Sequence, residues 1–179
     1  LFGAGDCTAS LSWSGTVKID PACGTVTFSD GGALPTGSVV SPGQTVSTGP
    51  RQHVEITTID GSVIRVGVSS SVVCRPGAYD SSGHPLTWQV VLGSIWAKIS
   101  DALGPPDFDT PEVHAGTGVR GSEFTLTAVA GGAIAHVIEG TGFVERPGKP
   151  QYTYPAGLSV AIKGGAVTLG TNWPASAQA

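Results

Sequence analysis

Glycine stands at the head of short β-branched runs along the whole chain, and no other feature narrows the available folds as far. Gly15-Thr-Val-Lys-Ile19, Gly24-Thr-Val-Thr-Phe28, Gly61-Ser-Val-Ile-Arg-Val66, Gly142-Phe-Val-Glu-Arg146 and Gly165-Ala-Val-Thr-Leu169 repeat this design. Each couples a residue that turns freely to residues that fit a pleated surface, so each reads as a turn followed by a strand. The spacing is irregular, which excludes a solenoid of fixed period. His53-Val-Glu-Ile-Thr57 alternates, Asp60-Gly61 supplies a turn and Val63-Ile-Arg-Val66 follows, the clearest hairpin in the sequence.

Composition supports short strands over helices. Of 179 residues, 27 are Gly and 13 are Pro, while Met is absent and Glu, Lys, Gln and Arg are scarce. Hydrophobic residues reach 40% and charged residues only 12%, against roughly 25% charged in ordinary domains. The length suits one domain with a substantial core, or at most two small ones. Nine basic residues scattered singly and a net charge of −4 give no footprint for nucleic acid or an anionic membrane. The longest weakly polar run, Leu126 to Ile138, contains His136 and falls short of the ~18 apolar residues of a membrane span. A chain without Met follows either a processing cut or a truncation, and a removed signal peptide is the simplest account. Asp6 ahead of Cys7 argues against a lipoprotein signal.

The expected fold is all-β, with many short strands in a sandwich-like or irregular β-roll arrangement and at most one short helix. That helix would lie at Ile95 to Leu103, where Ile95, Ile99 and Leu103 recur at a spacing of four; a strand through Ser94 to Ile99 is equally defensible. Pro105-Pro106 ends either one. Residues 75 to 87 are mostly turn formers and read as a surface excursion. Ser122 to Thr127, Ala133 to Ile138 and Leu158 to Ile162 alternate as strands. Three regions follow: 1–12, an N-terminal segment able to act as an exchangeable strand; 13–170, the β-domain; and 171–179, a loose tail whose start Trp173 can anchor.

Few residues carry recognisable chemistry. Cys7, Cys23 and Cys74 form no CxxC pair, and in an oxidising compartment they predict one disulfide and one thiol. Cys7 with Cys23 closes a short loop, whereas Cys23 with Cys74 ties together two distant strands; the sequence leaves both pairings open. His53, His84, His114 and His136 are far apart, without metal-ligand spacing. Asp60, Asp80, Asp101, Asp107 and Asp109 occupy or flank turns, where carboxylates cap backbone N–H groups. Trp13, Trp88, Trp96 and Trp173 could line a carbohydrate groove, but core packing suits most of them better. Gly116-Thr-Gly-Val-Arg-Gly121 spells a dinucleotide fingerprint, yet an alternating strand follows it where a helix is required. No GxSxG or HExxH element and no EF-hand loop occurs, so the expectation is a non-enzymatic protein with no cofactor and no metal.

Phe108-Asp-Thr-Pro-Glu-Val-His-Ala-Gly-Thr-Gly-Val-Arg-Gly-Ser-Glu-Phe124 resembles the signature of FecR-type domains of bacterial extracytoplasmic proteins. The resemblance rests on Thr110, Pro111, Gly118, Val119, Arg120, Gly121, Ser122, Glu123 and Phe124, with Ser122 in place of the usual Thr. Upstream, Pro42 to Gly49 and Val54 to Ser62 are similar to the family's Thr-Gly turn and Asp-Gly-Ser hairpin. Downstream, Val137 to Gly140, Phe143-Val144 and Tyr154 to Gly157 are similar to its next strands, and coverage runs from about Trp13 to Lys163. Read as plain chemistry, Thr110-Pro111 imposes an extended chain and Phe124 and Leu126 alternate into a core. Arg120 and Glu123 are expected to order one another structurally.

The resemblance implies two functions. FecR relays a transport signal to a sigma factor, but its pattern has a cytoplasmic helical segment and a membrane span before the β-domain, neither of which occurs in these residues. The leading expectation is therefore a structural, self-assembling protein, forming an extracellular filament or surface scaffold with copies of itself as partners. Leu1, Phe2 and Leu11 would enter a neighbour's sheet edge. The alternative is a periplasmic sensor or relay domain that binds another envelope protein.

Overall fold

A computed structural model describes residues 10–13, 23–29, 34–58, 61–75, 87–100, 107–111, 114–117, 122–146, 148–164 and 166–170. They form sixteen strands. The first seven are β1 (Ser10–Trp13), β2 (Gly24–Ser29), β3 (Val39–Val40), β4 (Gln44–Ser47), β5 (Val54–Thr58), β6 (Val63–Val66) and β7 (Ser71–Arg75). The long β8 (Thr87–Lys98) is followed by β9 (Asp107–Asp109), β10 (His114–Thr117), β11 (Glu123–Val129) and β12 (Gly132–Glu139). The chain then runs through β13 (Thr141–Glu145), β14 (Tyr152–Pro155), β15 (Ser159–Lys163) and β16 (Ala166–Gly170). No described residue is helical. Of the two readings open for Ile95 to Leu103, the strand is the one present, as far as Lys98, which ends β8; residues 101–106 lie outside the described residues. Ile95 and Ala97 alternate into the core while Trp96 and Lys98 face away, a period of two that overrides the spacing of four.

Two sheets share β8. The first runs β1-β4-β7-β8-β9-β10-β13-β14 and uses Thr87 to Leu92 of the shared strand; the second runs β3-β2-β5-β6-β8-β11-β12-β15-β16 and uses Gly93 to Lys98. Every pairing is antiparallel except β8 with β9, and no barrel closes. The changeover falls at Gly93, where φ is +76°. A Cβ there would lie 2.8 Å from the Ser70 Cα, so both backbone conformation and close approach require glycine. Ser70 fastens the bend: its Oγ accepts from the Ser94 N–H at 2.9 Å and donates to the Val68 carbonyl at 2.8 Å. Thr48 Oγ1 in turn accepts from the Ser70 N–H at 3.0 Å.

The two sheets pack face to face on one core. Val46, Val72, Trp88, Val90, Phe108, Val144 and Tyr154 come from the first sheet; Val26, Val54, Ile56, Ile64, Val66, Ile95, Phe124, Leu126, Val137 and Val160 come from the second. Phe108 and Phe124 meet edge to face across the layers at 5.0 Å between centroids, a contact worth about 1 kcal/mol beyond its buried area. Cys23, which precedes β2, is bonded to Cys74 of β7, so of the two pairings open in the sequence the one joining distant strands is present. Cys7 lies outside the described residues.

The predicted hairpin is β5-β6. Its turn is closed by the Thr58 N–H to the Ser62 carbonyl at 2.8 Å and by Gly61 at φ +85°. At the N-terminus, β1 straddles the expected boundary at residue 12. Leu11 is paired with Val46 of its own chain, so residues 10–12 belong to the domain's sheet, whereas Leu1 and Phe2 lie outside the described residues.

Candidate functional site

The outward face of the second sheet carries the densest polar chemistry among the described residues. Register aligns Glu55 of β5, Arg65 of β6, Trp96 of β8, Thr125 of β11, His136 of β12 and Ser159 of β15 in one row across six strands. Directly opposed side chains in antiparallel strands lie close enough to interact, so the row is continuous.

Its left half is a charged stack. Arg65 donates to Glu55 Oε2 from Nη2 at 2.9 Å and from Nε at 3.2 Å, with Thr27 Oγ1 within 3.5 Å of Glu55 Oε1. The same guanidinium lies over the Trp96 ring, 4.7 Å from its centroid. Trp96 Nε1 donates to Glu123 Oε1 at 2.6 Å. A carboxylate, a guanidinium, an indole and a second carboxylate are thereby locked in sequence, each orienting the next. Lys98 faces outward beside Glu123 in register, and Glu139 lies on its other side.

On the right half, His136 Nδ1 lies 2.8 Å from Ser159 Oγ. Burial pushes the His136 imidazole below its ordinary value, and a hydrogen bond with the Leu158 backbone acts in the opposite direction. The Ser159 side chain is buried, as are those of Thr125, Thr127 and Ile134 around it. A serine-histidine contact resembles a nucleophile and its base, but a reacting hydroxyl needs an approach that a buried one lacks. Among the described residues no group of three His, Cys, Asp or Glu side chains is placed to hold a metal ion.

Five of the nine motif residues read from sequence fall within the described residues. Thr110 is buried just after β9, Pro111 is exposed, Ser122 is fully buried and Phe124 is in the core. Gly118, Val119, Arg120 and Gly121 lie outside the described residues. The expected partnership of Arg120 with Glu123 is therefore untraced, and the described partner of Glu123 is Trp96. A strand, β11, follows Gly121, the wrong context for a dinucleotide fingerprint. The sequence reading gave core packing to most of the tryptophans without saying which, and so did not single out Trp96. Trp88 is indeed buried in the core, whereas Trp96 is half-buried on the outer face. Glu55 and Arg65 oppose each other because the register closes at Thr58 and Ser62, whereas a two-residue turn at Asp60-Gly61, as the sequence suggests, would set Glu55 opposite Val66.

Comparison with known proteins yields a fold and no closer kinship. No protein-family profile matches the chain, and no curated protein matches it. Two crystal structures, each of a candidate anti-sigma factor from Parabacteroides distasonis ATCC 8503, share its fold with TM-scores of 0.58 and 0.57 at 16% and 14% sequence identity. In both cases the match covers 70% of this chain and 58% of the other, so the chain spans under two thirds of the length of these neighbours.

Proposed function

We propose that this chain is the extracytoplasmic sensor or relay domain of a FecR-type regulator, which binds a partner protein and performs no catalysis. The observation that carries this reading is the shared fold with two candidate anti-sigma factors over 70% of the chain. The ordered series of FecR-like motifs, running from Pro42 to Gly157, points the same way. Within the reading, the stack of Glu55, Arg65, Trp96 and Glu123 is the recognition surface. Its groups are oriented before any partner arrives, and aromatic and arginine side chains dominate the energetics of protein interfaces.

This reading displaces the filament as the leading one. The filament rested on an exchangeable N-terminal strand, and residues 10–12 of that strand are already paired with β4 of the same chain.

A photo-reactive amino acid at Lys98 in the native host, combined with in-frame removal of residues 10–170, separates the two. A regulator gives a crosslink to a different envelope protein, and the deletion changes transcription of a coherent set of genes. Crosslinks only between copies of the chain, together with an unchanged transcript profile, would return the scaffold reading to the front.

A further inference from the structure

The sheet ends are guarded unequally. β3 is two residues long, and the turn ahead of it covers the neighbouring strand through the Val26 N–H to Ser38 and the Gly37 N–H to Val26. β14 ends in Pro155, which has no N–H to offer, and β1 is four residues long. β16, the last strand of the second sheet among the described residues, runs for five residues without Lys, Pro, a bulge or any charge. Natural edges are normally blunted by one of those devices, because their unpaired backbone groups template another strand.

Four of its five residues are exposed. Leu169 stands opposite Val160 and Val167 opposite Ile162, so both lie on the core face of the sheet. Val167 packs against the core, yet Leu169 remains 48% exposed. The backbone pattern follows from the hairpin. The connection at 164–165 makes Lys163 and Ala166 the closing pair, which exchanges hydrogen bonds in a two-residue hairpin. Alternation then directs the N–H and C=O groups of Thr168 and Gly170 inward as well. Those of Val167 and Leu169 point outward.

We propose that β16 is a self-pairing edge, joining antiparallel to β16 of a second copy about a twofold axis at Thr168. That register sets Val167 of each copy opposite Leu169 of the other. All the outward-facing N–H and C=O groups of both residues are then satisfied, in four hydrogen bonds. The same pairing lays Leu169 against Val167 on the core face and covers part of the exposed Leu169 side chain of each copy. A partner strand of unrelated sequence would have to supply this complementarity, whereas a second copy has it by symmetry. The product is a closed dimer, unlike the open filament expected from an N-terminal strand exchange, and the proposal stands independently of the regulatory reading.

Thr168 meets its own copy as a non-hydrogen-bonded pair with Cα atoms ~4.5 Å apart, within the range a disulfide spans. In the full chain with Cys7→Ser, a Thr168→Cys variant should oxidise to a dimer whose crosslinked peptide joins 168 to 168. An Ala166→Cys variant should not, because the two copies of that residue would be ~14 Å apart, four residues' rise along the strand. By analytical ultracentrifugation the unmodified chain should show a concentration-dependent dimer. Leu169→Lys, and Val167→Pro, whose lost N–H points outward, should each weaken it at least tenfold, with circular dichroism unchanged. A chain that stays monomeric at millimolar concentration overturns the proposal. So does a dimer that survives both substitutions, or one in which Ala166→Cys crosslinks as readily as Thr168→Cys.

Discussion

His136 is the residue whose protonation the fold most visibly resists. Because burial holds its imidazole below the usual value of 6.5, the folded chain binds fewer protons than the unfolded chain once the pH drops beneath that value. Its contribution to stability is therefore complete above pH 6.5 and is lost as the pH falls through the lowered folded value. Thermal midpoints measured from pH 8 to pH 5 should decline, and His136→Gln, which keeps a polar partner for Ser159, should flatten that decline. An unchanged slope would assign the acid sensitivity to other groups. The charged half of the row behaves differently. Arg65 is exposed enough that its pairing with Glu55 contributes at most about 1 kcal/mol, so Arg65→Ala should leave folding intact while exposing one face of Trp96.

At the scale of elements, β8 organises everything else, and Gly93 is the position that permits it. Gly93→Ala must place a side chain at positive φ and drive its Cβ into Ser70. The expected loss is more than about 1 kcal/mol, readable as a lower midpoint in urea. Adding Ser70→Gly should not restore it, because the 2.8 Å approach to the Ser70 Cα and the positive φ both remain while the Ser70 Oγ hydrogen bonds to Ser94 and Val68 are lost. These elements also mark how much was legible in advance. The β5-β6 hairpin was readable because it has turn residues and an alternation of buried with less buried positions, and β11, β12 and β15 were readable because apolar and polar residue types alternate along them, even though several of their outward side chains are buried too. The parallel pairing of β8 with β9 and the change of sheet within β8 were not, since both depend on what lies across the interior. The face taken by Trp96 was illegible for the same reason: an aromatic residue inside an apolar run carries no local sign of the face it will occupy. The row from Glu55 to Ser159 joins residues 104 positions apart in sequence, and only the register of five successive pairings reveals it.

At the scale of the whole molecule, the Cys23–Cys74 bond couples the two layers near one end of the sandwich, closing a sequence separation of 51 residues. A crosslink of that span stabilises by roughly 2–4 kcal/mol, chiefly by restricting the unfolded chain. A Cys23→Ala, Cys74→Ala double variant should therefore melt well below the parent while keeping its β-type circular dichroism, and an unchanged midpoint would show the bond to be dispensable. The position of β8 matters in a different way for how such a protein is made. Its neighbours on one side, β6 and β7, precede it in the chain, and those on the other side, β9 and β11, follow it. During synthesis from the N-terminus, the first hundred residues thus present a twelve-residue strand with one flank bare in each future layer. Until residues 107–129 emerge, that strand is the most exposed adhesive surface of the nascent chain. Chaperone engagement during biogenesis should be concentrated in that brief interval.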